Sequence, residues 1–151
     1  MICGGKDGLI YVVNRDNMGH FSASNSNDAA LQKVPLGGPE PTNGNWFTPA
    51  VWQNWIYFGA TNDSIKQYQF TNGLLSSAPL AQSGQKFAYP GATPTISTDG
   101  TSGIVWVLDK SAYFGGIPDG DVNTPGPAVL HAYRADNLGD ELYNSAQAGF
   151  T

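Results

Sequence analysis

Two short segments of similar design, 45 residues apart, constrain the fold of this chain more than any other feature. Thr48-Pro-Ala-Val51 and Thr93-Pro-Thr-Ile96 each open a unit, and the spacing is measured between Pro49 and Pro94. After each opening come a turn, an aromatic-rich run, a further apolar run and a polar turn. A period of about 40 to 50 residues with three or four short strands in each unit is typical of a β-propeller blade.

Runs of β-branched and aromatic residues, separated by Gly, Asn, Asp or Pro, predict strands joined by tight turns. The predicted strands are residues 9–13, 48–52, 55–59, 64–70, 93–97, 103–108 and 128–133. No window has a sustained helical period, although residues 136–148 could form a short helical turn that Gly139 and Gly149 would limit. We therefore expect an all-β chain.

The order of these motifs resembles the bacterial pyrroloquinoline-quinone-like (PQQ-like) repeat propellers, the fold of the quinoprotein dehydrogenases and of non-enzymatic relatives. The resemblance covers residues 4–21, which begin with "GGKDG", and residues 46–70, 90–109 and 128–145. It implies blades of four antiparallel strands. It also implies a bacterial protein that is periplasmic or extracellular, although residues 1–8 show no signal-peptide pattern.

The resemblance divides the chain, as one partial propeller domain, into roughly two and a half blades. It implies an incomplete blade at 1–45, a second blade at 46–90, a third at 91–149 and the start of a further blade at 150–151. Such a segment would leave blade faces and strand edges unpaired. We therefore expect self-association through open blade edges, so that the propeller is completed by oligomerisation, or else that the segment is cut from a larger propeller. A third alternative is a compact partial propeller capped by the long polar loops at 22–45 and 110–127.

Charge and composition restrict the partners. The net charge is −5, with 7 basic residues that do not cluster, so we expect no nucleic-acid partner. We also expect no membrane span, because no run approaches the roughly 18 apolar residues that a spanning helix needs. Cys3 is the single cysteine and cannot form an internal disulfide.

The quinoprotein enzymes that the resemblance points to bind their quinone with a stacking tryptophan, a vicinal cysteine pair and calcium-binding carboxylates. This chain has one cysteine, and it lacks the family's Ala-x-Asp-x-x-Thr-Gly-x-x-x-Trp docking motif. No cofactor is therefore evident, and neither calcium nor PQQ has motif support. Asp119, Asp121 and Asn123 alternate as at the start of a calcium loop, but the distal glutamate is missing, so a solvated turn is the alternative.

The candidates for chemistry or binding are few. His131, with Asp119 and Asp121 as loop carboxylates, could serve as base or ligand, although a structural histidine is the commoner case. Trp46, Trp52 and Trp55 could stack on a carbohydrate, or they could pack between blades.

We predict a non-catalytic scaffold or binding module, for assembly or for carbohydrate or protein recognition. The alternative is an enzyme whose site is assembled across chains, either a quinoprotein-like sugar or alcohol oxidoreductase or a metal-assisted hydrolase.

Overall fold

The computed structural model describes residues 1–20, 29–36, 44–114 and 127–148. Over these ranges the chain is all-β and forms three antiparallel sheets, none of them closed. The only helical pieces in this part of the chain are one α-turn at Ser111–Phe114 and one 3₁₀ turn at Ser145–Ala148.

The first sheet has three strands in the order β1 (Ile2–Gly4), β2 (Leu9–Val12) and β3 (Gln32–Pro35). The turn between β1 and β2 contains Lys6, Asp7 and Gly8, and Gly8 has φ 75°, a conformation that glycine adopts without strain. The Asp7 carboxylate accepts a hydrogen bond from the Leu9 N–H at 3.2 Å, which fixes the exit from this turn.

The second sheet is built on β4 (Ala50–Trp52), β5 (Trp55–Gly59), β6 (Asp63–Thr71) and β8 (Ala81–Phe87), paired in that order. A two-residue strand, β7 (Leu74–Leu75), pairs with the end of β6. Asn72 and Gly73 form the hairpin turn between β6 and β7, and both have positive φ (53° and 83°). Asn-Gly favours this type of two-residue turn because both positions must be left-handed.

The third sheet pairs β9 (Thr95–Thr98), β10 (Gly103–Asp109), β11 (Val129–Arg134) and β12 (Glu141–Asn144) in chain order. At the β9–β10 turn, the Asp99 carboxylate accepts hydrogen bonds from the Ser102 and Thr101 backbone N–H groups. These two bonds lower the pKa of Asp99, because they stabilise the ionised carboxylate.

The strand registers show that the third sheet repeats the second. In the second sheet Ala50 pairs with Tyr57, and at the equivalent place in the third sheet Thr95 pairs with Trp106. The same alignment continues one strand outward: Phe58 pairs with Lys66, and Val107 pairs with His131. Trp106 therefore occupies the place of Tyr57, and His131 the place of Lys66.

The sheets stack face to face, and two apolar cores fill the spaces between them. The core between the first and second sheets is made mainly of aliphatic residues with two aromatic rings: Ile10, Val12, Val34, Leu36, Ile56, Phe58, Ala60, Tyr68 and Leu75. The core between the second and third sheets includes Trp52, Tyr57, Ile65, Phe87, Ala92, Val105, Val107, Tyr133, Ala135 and Leu138. The second sheet is thus covered on both faces.

Hydrogen bonds from buried side chains cross both interfaces. Tyr57 Oη donates to the Ala135 carbonyl at 2.6 Å, and Gln67 Nε2 donates to the same oxygen at 2.8 Å. On the other side, Tyr68 Oη donates to the Pro35 carbonyl at 3.1 Å and Lys66 Nζ to the Leu36 carbonyl at 2.7 Å. These bonds fix the sheets in register with one another, because a buried donor without a partner is costly.

Each predicted strand is present, with its ends shifted by at most a few residues. The short helical turn predicted within 136–148 is present at Ser145–Ala148, whereas Glu141–Asn144 in the same range is the strand β12, which was not predicted. The chain reverses at the turn before β12, where the Asp140 N–H donates to the Asn137 carbonyl at 3.0 Å. The strand then pairs with β11, and this pairing outweighs local helix preference.

Two strand glycines should respond oppositely to a methyl group. A Cβ on Gly59 would lie 2.2 Å from the Ala92 carbonyl oxygen, whereas one on Gly84 would meet nothing within 4 Å. We expect Gly59→Ala to lower the free energy of unfolding by about 1–3 kcal/mol, the usual cost of overpacking. Gly84→Ala should leave it unchanged or raise it by about 0.5 kcal/mol. Urea unfolding of both variants is the measurement, and equal effects would contradict the stacking described above.

Candidate functional site

The structure does not gather the three candidate tryptophans into one surface. Trp46 precedes β4 and is 44% exposed, with Lys6 Nζ 4.3 Å from its ring centroid and Tyr89 packed edge-on. Trp52 and Trp55 pair across the turn at the other end of β4. Trp52 is buried, and its Nε1 donates to Thr98 Oγ1 of the third sheet at 3.2 Å, while Trp55 is partly buried against the same core.

The acidic candidates Asp119 and Asp121, together with Asn123, lie outside the described residues. Their predicted role in metal binding or catalysis stays a prediction. In the part of the chain that is described, no three His, Cys, Asp or Glu side chains are grouped so that they could hold a metal ion. Nor does any helix within these ranges have the length and apolar character to cross a membrane.

His131 lies on β11, the third strand of its sheet, and its side chain faces the second sheet. The residue is 4% exposed, and its ring packs edge-on against Phe87 of β8 with the centroids 5.7 Å apart. β11 lies between β10 and the edge strand β12, so His131 is near the β12 edge of this sheet.

Two carboxylates flank the imidazole of His131. Nδ1 lies 2.5 Å from Glu141 Oε1, and Nε2 lies 3.9 Å from Asp109 Oδ2. A carboxylate can only accept a hydrogen bond, so Nδ1 carries the proton that is donated to Glu141. Nε2 is buried and has no hydrogen-bond partner among the described residues.

Tyr133, two residues further along β11, places its ring beside that of His131. The two rings are parallel within 4°, with their centroids 6.0 Å apart. The hydroxyl of Tyr133 is also buried, with the side chains of Ser83 and Glu141 near it. Burial raises the pKa of Tyr133, and the nearby negative charges of Glu141 and Asp109 raise it further, so the group stays an O–H donor.

A cleft of about 280 Å³ opens beside these two residues. Its lining joins β8 of the second sheet to β11 and β12 of the third: Gly84, Gln85, His131, Tyr133, Gly139, Glu141 and Asn144. Gln85 Nε2 also donates to Asp109 Oδ2 at 3.2 Å, which connects the two sheets beside the cleft. Polar groups therefore dominate this part of an otherwise apolar interface.

A comparison with the interface between the first and second sheets shows why the interface between the second and third contains a cleft. Lys66 and Tyr68 stand where His131 and Tyr133 stand in the repeat, and both of them donate to backbone carbonyls of the first sheet. The imidazole is shorter than the lysine chain and makes no such bond to the second sheet. A cleft lined in part by His131 and Tyr133 lies at this place in the second interface.

The far face of the third sheet is apolar and is not covered by any described residue. Leu108 and Leu130 pair directly across β10 and β11 and are 44% and 36% exposed. Trp106 and Ile104 lie on the same face and are partly exposed, and Tyr143 of β12 extends the patch. We refer to these five residues, Ile104, Trp106, Leu108, Leu130 and Tyr143, as the free face.

Sequence reasoning selected His131 but missed Tyr133, Glu141 and Asp109. Tyr133 could have been found, because it lies on the same face of an alternating strand two residues from His131. Glu141 and Asp109 lie 10 and 22 residues from His131 along the chain. Only the strand pairing, which places β12 and β10 on either side of β11, brings them together.

In comparisons with known proteins, this chain matches no protein family, no curated protein and no solved structure.

Three buried tyrosines predict loss of stability at alkaline pH. Burial raises the pKa of Tyr57 to about 12 and raises those of Tyr68 and Tyr133 as well. In the unfolded chain these groups ionise near pH 10, so their contribution is complete below about pH 10 and falls as the pH rises toward the folded values. In that window each of the three tyrosines should lower the free energy of unfolding by about 1.4 kcal/mol per pH unit.

Urea unfolding between pH 8 and 11, with phenolate absorbance recorded on the native protein, measures this effect. In Tyr57→Phe, the slope of the free energy of unfolding against pH should be smaller by the contribution of one tyrosine. Titration of every tyrosine near pH 10 in the folded protein would contradict the prediction.

Proposed function

We propose that this chain is a stacked-sheet module of the β-propeller type, without chemistry of its own, that associates with further copies of itself through the outer faces of its two terminal sheets. The observation that carries the proposal is the free face. Two of its residues, Trp106 and Leu130, stand at positions that are fully buried in the preceding repeat.

The repeat makes this comparison residue by residue. Trp106 is equivalent to Tyr57, and Leu130 is equivalent to Ile65, as the strand registers show. Tyr57 and Ile65 are both 0% exposed, because the third sheet covers them. In the third sheet the equivalent residues, Trp106 and Leu130, are equally apolar, but no described sheet covers them. A further sheet of the same kind is therefore the cover that this surface fits.

The first sheet of a second copy is the partner that continues the stack. Residues of β1 and β2 alternate, so that Ile10 and Val12 face the second sheet while Cys3 and Tyr11, which pair with each other, lie on the opposite side. In the third sheet, the face that carries Val105 and Val107 packs on the preceding sheet. The outer side of the first sheet is the equivalent face. Stacking of the free face of one copy on the outer side of the first sheet of the next copy joins two different surfaces, so the contact is heterologous. Such head-to-tail contacts form a ring if the rotation from one copy to the next closes on itself.

Two further observations support assignment to the propeller class and to the PQQ-like resemblance within it. The second and third sheets each have their four principal strands in chain order, which is the order expected for a propeller blade. The first strands, β4 and β9, also contact each other, as inner strands around a common axis would. The two Thr-Pro openings lie at the starts of these strands.

The enzyme alternative stays a prediction. It assigns His131 a role with Asp119 and Asp121, and of these only His131 is described. Carbohydrate recognition by tryptophan likewise stays a prediction, and in the described structure Trp46 is the only one of the three candidates that is more than one-third exposed.

Charge on the free face should prevent the association. We expect the unmodified chain to form oligomers in sedimentation or light scattering, and Leu108→Glu with Leu130→Glu to be monomeric, because two paired carboxylates would have to lose their water on burial. Leu80→Glu is the matched control: Leu80 is 57% exposed but lies before β8, away from the free face. Circular dichroism checks that all variants fold. A wild-type monomer at the highest soluble concentration would overturn the proposal.

The single cysteine makes the head-to-tail geometry testable. Cys3 is exposed on the outer side of the first sheet, so Leu130→Cys should form disulfides between copies under mild oxidation, joining position 3 to position 130. Leu80→Cys should not crosslink. Efficient crosslinking of Leu130→Cys in a Cys3→Ser background would instead show that two free faces meet, and this would overturn the head-to-tail arrangement.

A further inference from the structure

The first sheet has no described strand at the place where β4 opens the second sheet and β9 opens the third. β5 and β10 each have partner strands on both sides, and β4 and β9 are the partners that precede them in the chain. Over the described ranges β1 pairs with β2 on one side only. We propose that the other edge of β1 binds an extended segment of a different protein, of the sequence Thr-Pro-x-Val or Thr-Pro-x-Ile, as an added antiparallel strand.

The strand registers identify β1 as the equivalent of β5. Gly4 of β1 pairs with Ile10, and Gly59 of β5 pairs with Ile65. Both isoleucines are completely buried in the core shared with the next sheet along the chain. The free edge of β1 is therefore the edge that β4 covers in the second sheet.

The backbone groups of β1 that point to this edge belong to Ile2 and Gly4. The Met1 nitrogen donates to the Val13 carbonyl at 2.8 Å, and the Val13 N–H donates to the Met1 carbonyl at 2.8 Å. In an antiparallel pair, residues bonded in this way alternate with residues whose N–H and C=O point to the other side. Met1 and Cys3 thus bond to β2, whereas Ile2 and Gly4 present two donors and two acceptors to the free edge.

A groove of about 320 Å³ lies at this edge. Its lining includes Ile2, Cys3 and Gly4. Because successive residues of a strand alternate between its two faces, a groove that reaches all three lies at the strand edge. Residues 47–49, which lead into β4, complete the lining. β4 and β9 contact each other where the second and third sheets meet, so a strand added to β1 should contact β4 and fill this groove.

The sequence of the added strand follows from the two strands that cover the equivalent edges. β4 directly follows Thr48-Pro49 and β9 directly follows Thr93-Pro94, and their second residues are Val51 and Ile96. Both segments are already paired within their own sheets, so a second copy of this chain could offer one only by opening that sheet. The occupant is therefore a segment of a different protein with the same pattern.

The proline has a defined place in this pattern. The Phe70 N–H donates to the Asn54 carbonyl at 2.7 Å, so by alternation along β5 the backbone groups of Tyr57 point to Ala50 of β4. The proline before Ala50 then faces away from β5, and its missing N–H leaves no ladder bond unmade. In the added strand, the residue after the proline should pair with Ile2 in the same way.

The peptide GATPTIST, which has the sequence of residues 91–98, is the probe, and the anisotropy of an attached fluorescein measures its binding. We expect saturable binding, because main-chain hydrogen bonds to an open strand edge supply affinity. The control peptide GATTPIST has the same composition, but its proline would stand opposite Ile2, where an N–H is needed. It should bind more weakly by roughly tenfold or more.

Variants of Ile2 test the edge itself. Ile2→Pro and Ile2→Ala both remove the isoleucine side chain, but only Ile2→Pro also removes the N–H that points to the groove. Ile2→Pro should therefore bind GATPTIST more weakly than Ile2→Ala by roughly tenfold or more. Circular dichroism checks that both variants fold.

The inference shares the repeat of strand positions with the proposed function, but it does not need association through the free face. Leu108→Glu with Leu130→Glu should bind GATPTIST as the unmodified chain does. Failure of self-association and failure of strand addition are thus observed separately.

Amide NMR locates the bound peptide. The Ile2 and Gly4 amides should exchange more slowly when GATPTIST is bound, whereas the Cys3 amide, which bonds to β2, should be protected with and without it. The proposal is overturned if GATPTIST does not bind saturably, if both peptides bind equally, or if Ile2→Pro and Ile2→Ala bind equally. Protection of the Ile2 and Gly4 amides without peptide would also overturn it, because a second copy or another part of the chain would then cover the edge.

Discussion

The structure depends on the need to cover the second sheet on both faces. In β6, neighbouring residues such as Gln67 and Tyr68 are both buried although they point to opposite sides. One face can be buried only by the first sheet and the other only by the third. The buried hydrogen bonds of Tyr57 and Tyr68, which reach Ala135 and Pro35, then fix each covering sheet at one distance and register. Three sheets of three to five strands become one body for this reason.

The two interfaces of the second sheet are similar in design and differ in how completely they close. Lys66 has a long flexible chain, so its ammonium reaches the Leu36 carbonyl of the first sheet and also the Asp63 carboxylate. The equivalent His131 is rigid and short, and the carboxylates around it belong to its own sheet. A substitution within a repeat can thus convert a closed interface into a polar cleft without a change in strand order. Such sites arise at no cost to the rest of the fold, because only the outer part of one interface is altered.

The sequence predicts the inner strands well and the outer strands poorly, for a physical reason. Strands such as β5 and β10 have partner strands on both sides and pack on at least one neighbouring sheet, so they are largely continuous runs of Ile, Val, Phe, Tyr and Trp. The outermost strands β3, β8 and β12 have partner strands on one side only and are largely exposed, so their sequences are polar and resemble loops. Residues 81–87 include a glycine and three Gln or Lys residues, which no strand pattern would select. For the same reason the contact between Glu141 and His131 could not be predicted. Glu141 lies on β12, and its proximity to His131 depends on a strand pairing that local sequence does not encode.

The described strands of the third sheet supply little charge to protect the free face. Sheet proteins usually protect open surfaces with charged side chains, lysine above all. Charged residues make up only 13% of this chain, and Arg134 is the single basic residue on the described strands of the third sheet. Its guanidinium is already paired with Asp136 and lies near Asp140, at one end of β11. The described strands of this sheet therefore offer no other lysine or arginine to protect Leu108, Leu130 and Trp106, and burial of this surface against a matching sheet would remove from water the same kind of side chains that the second sheet already buries.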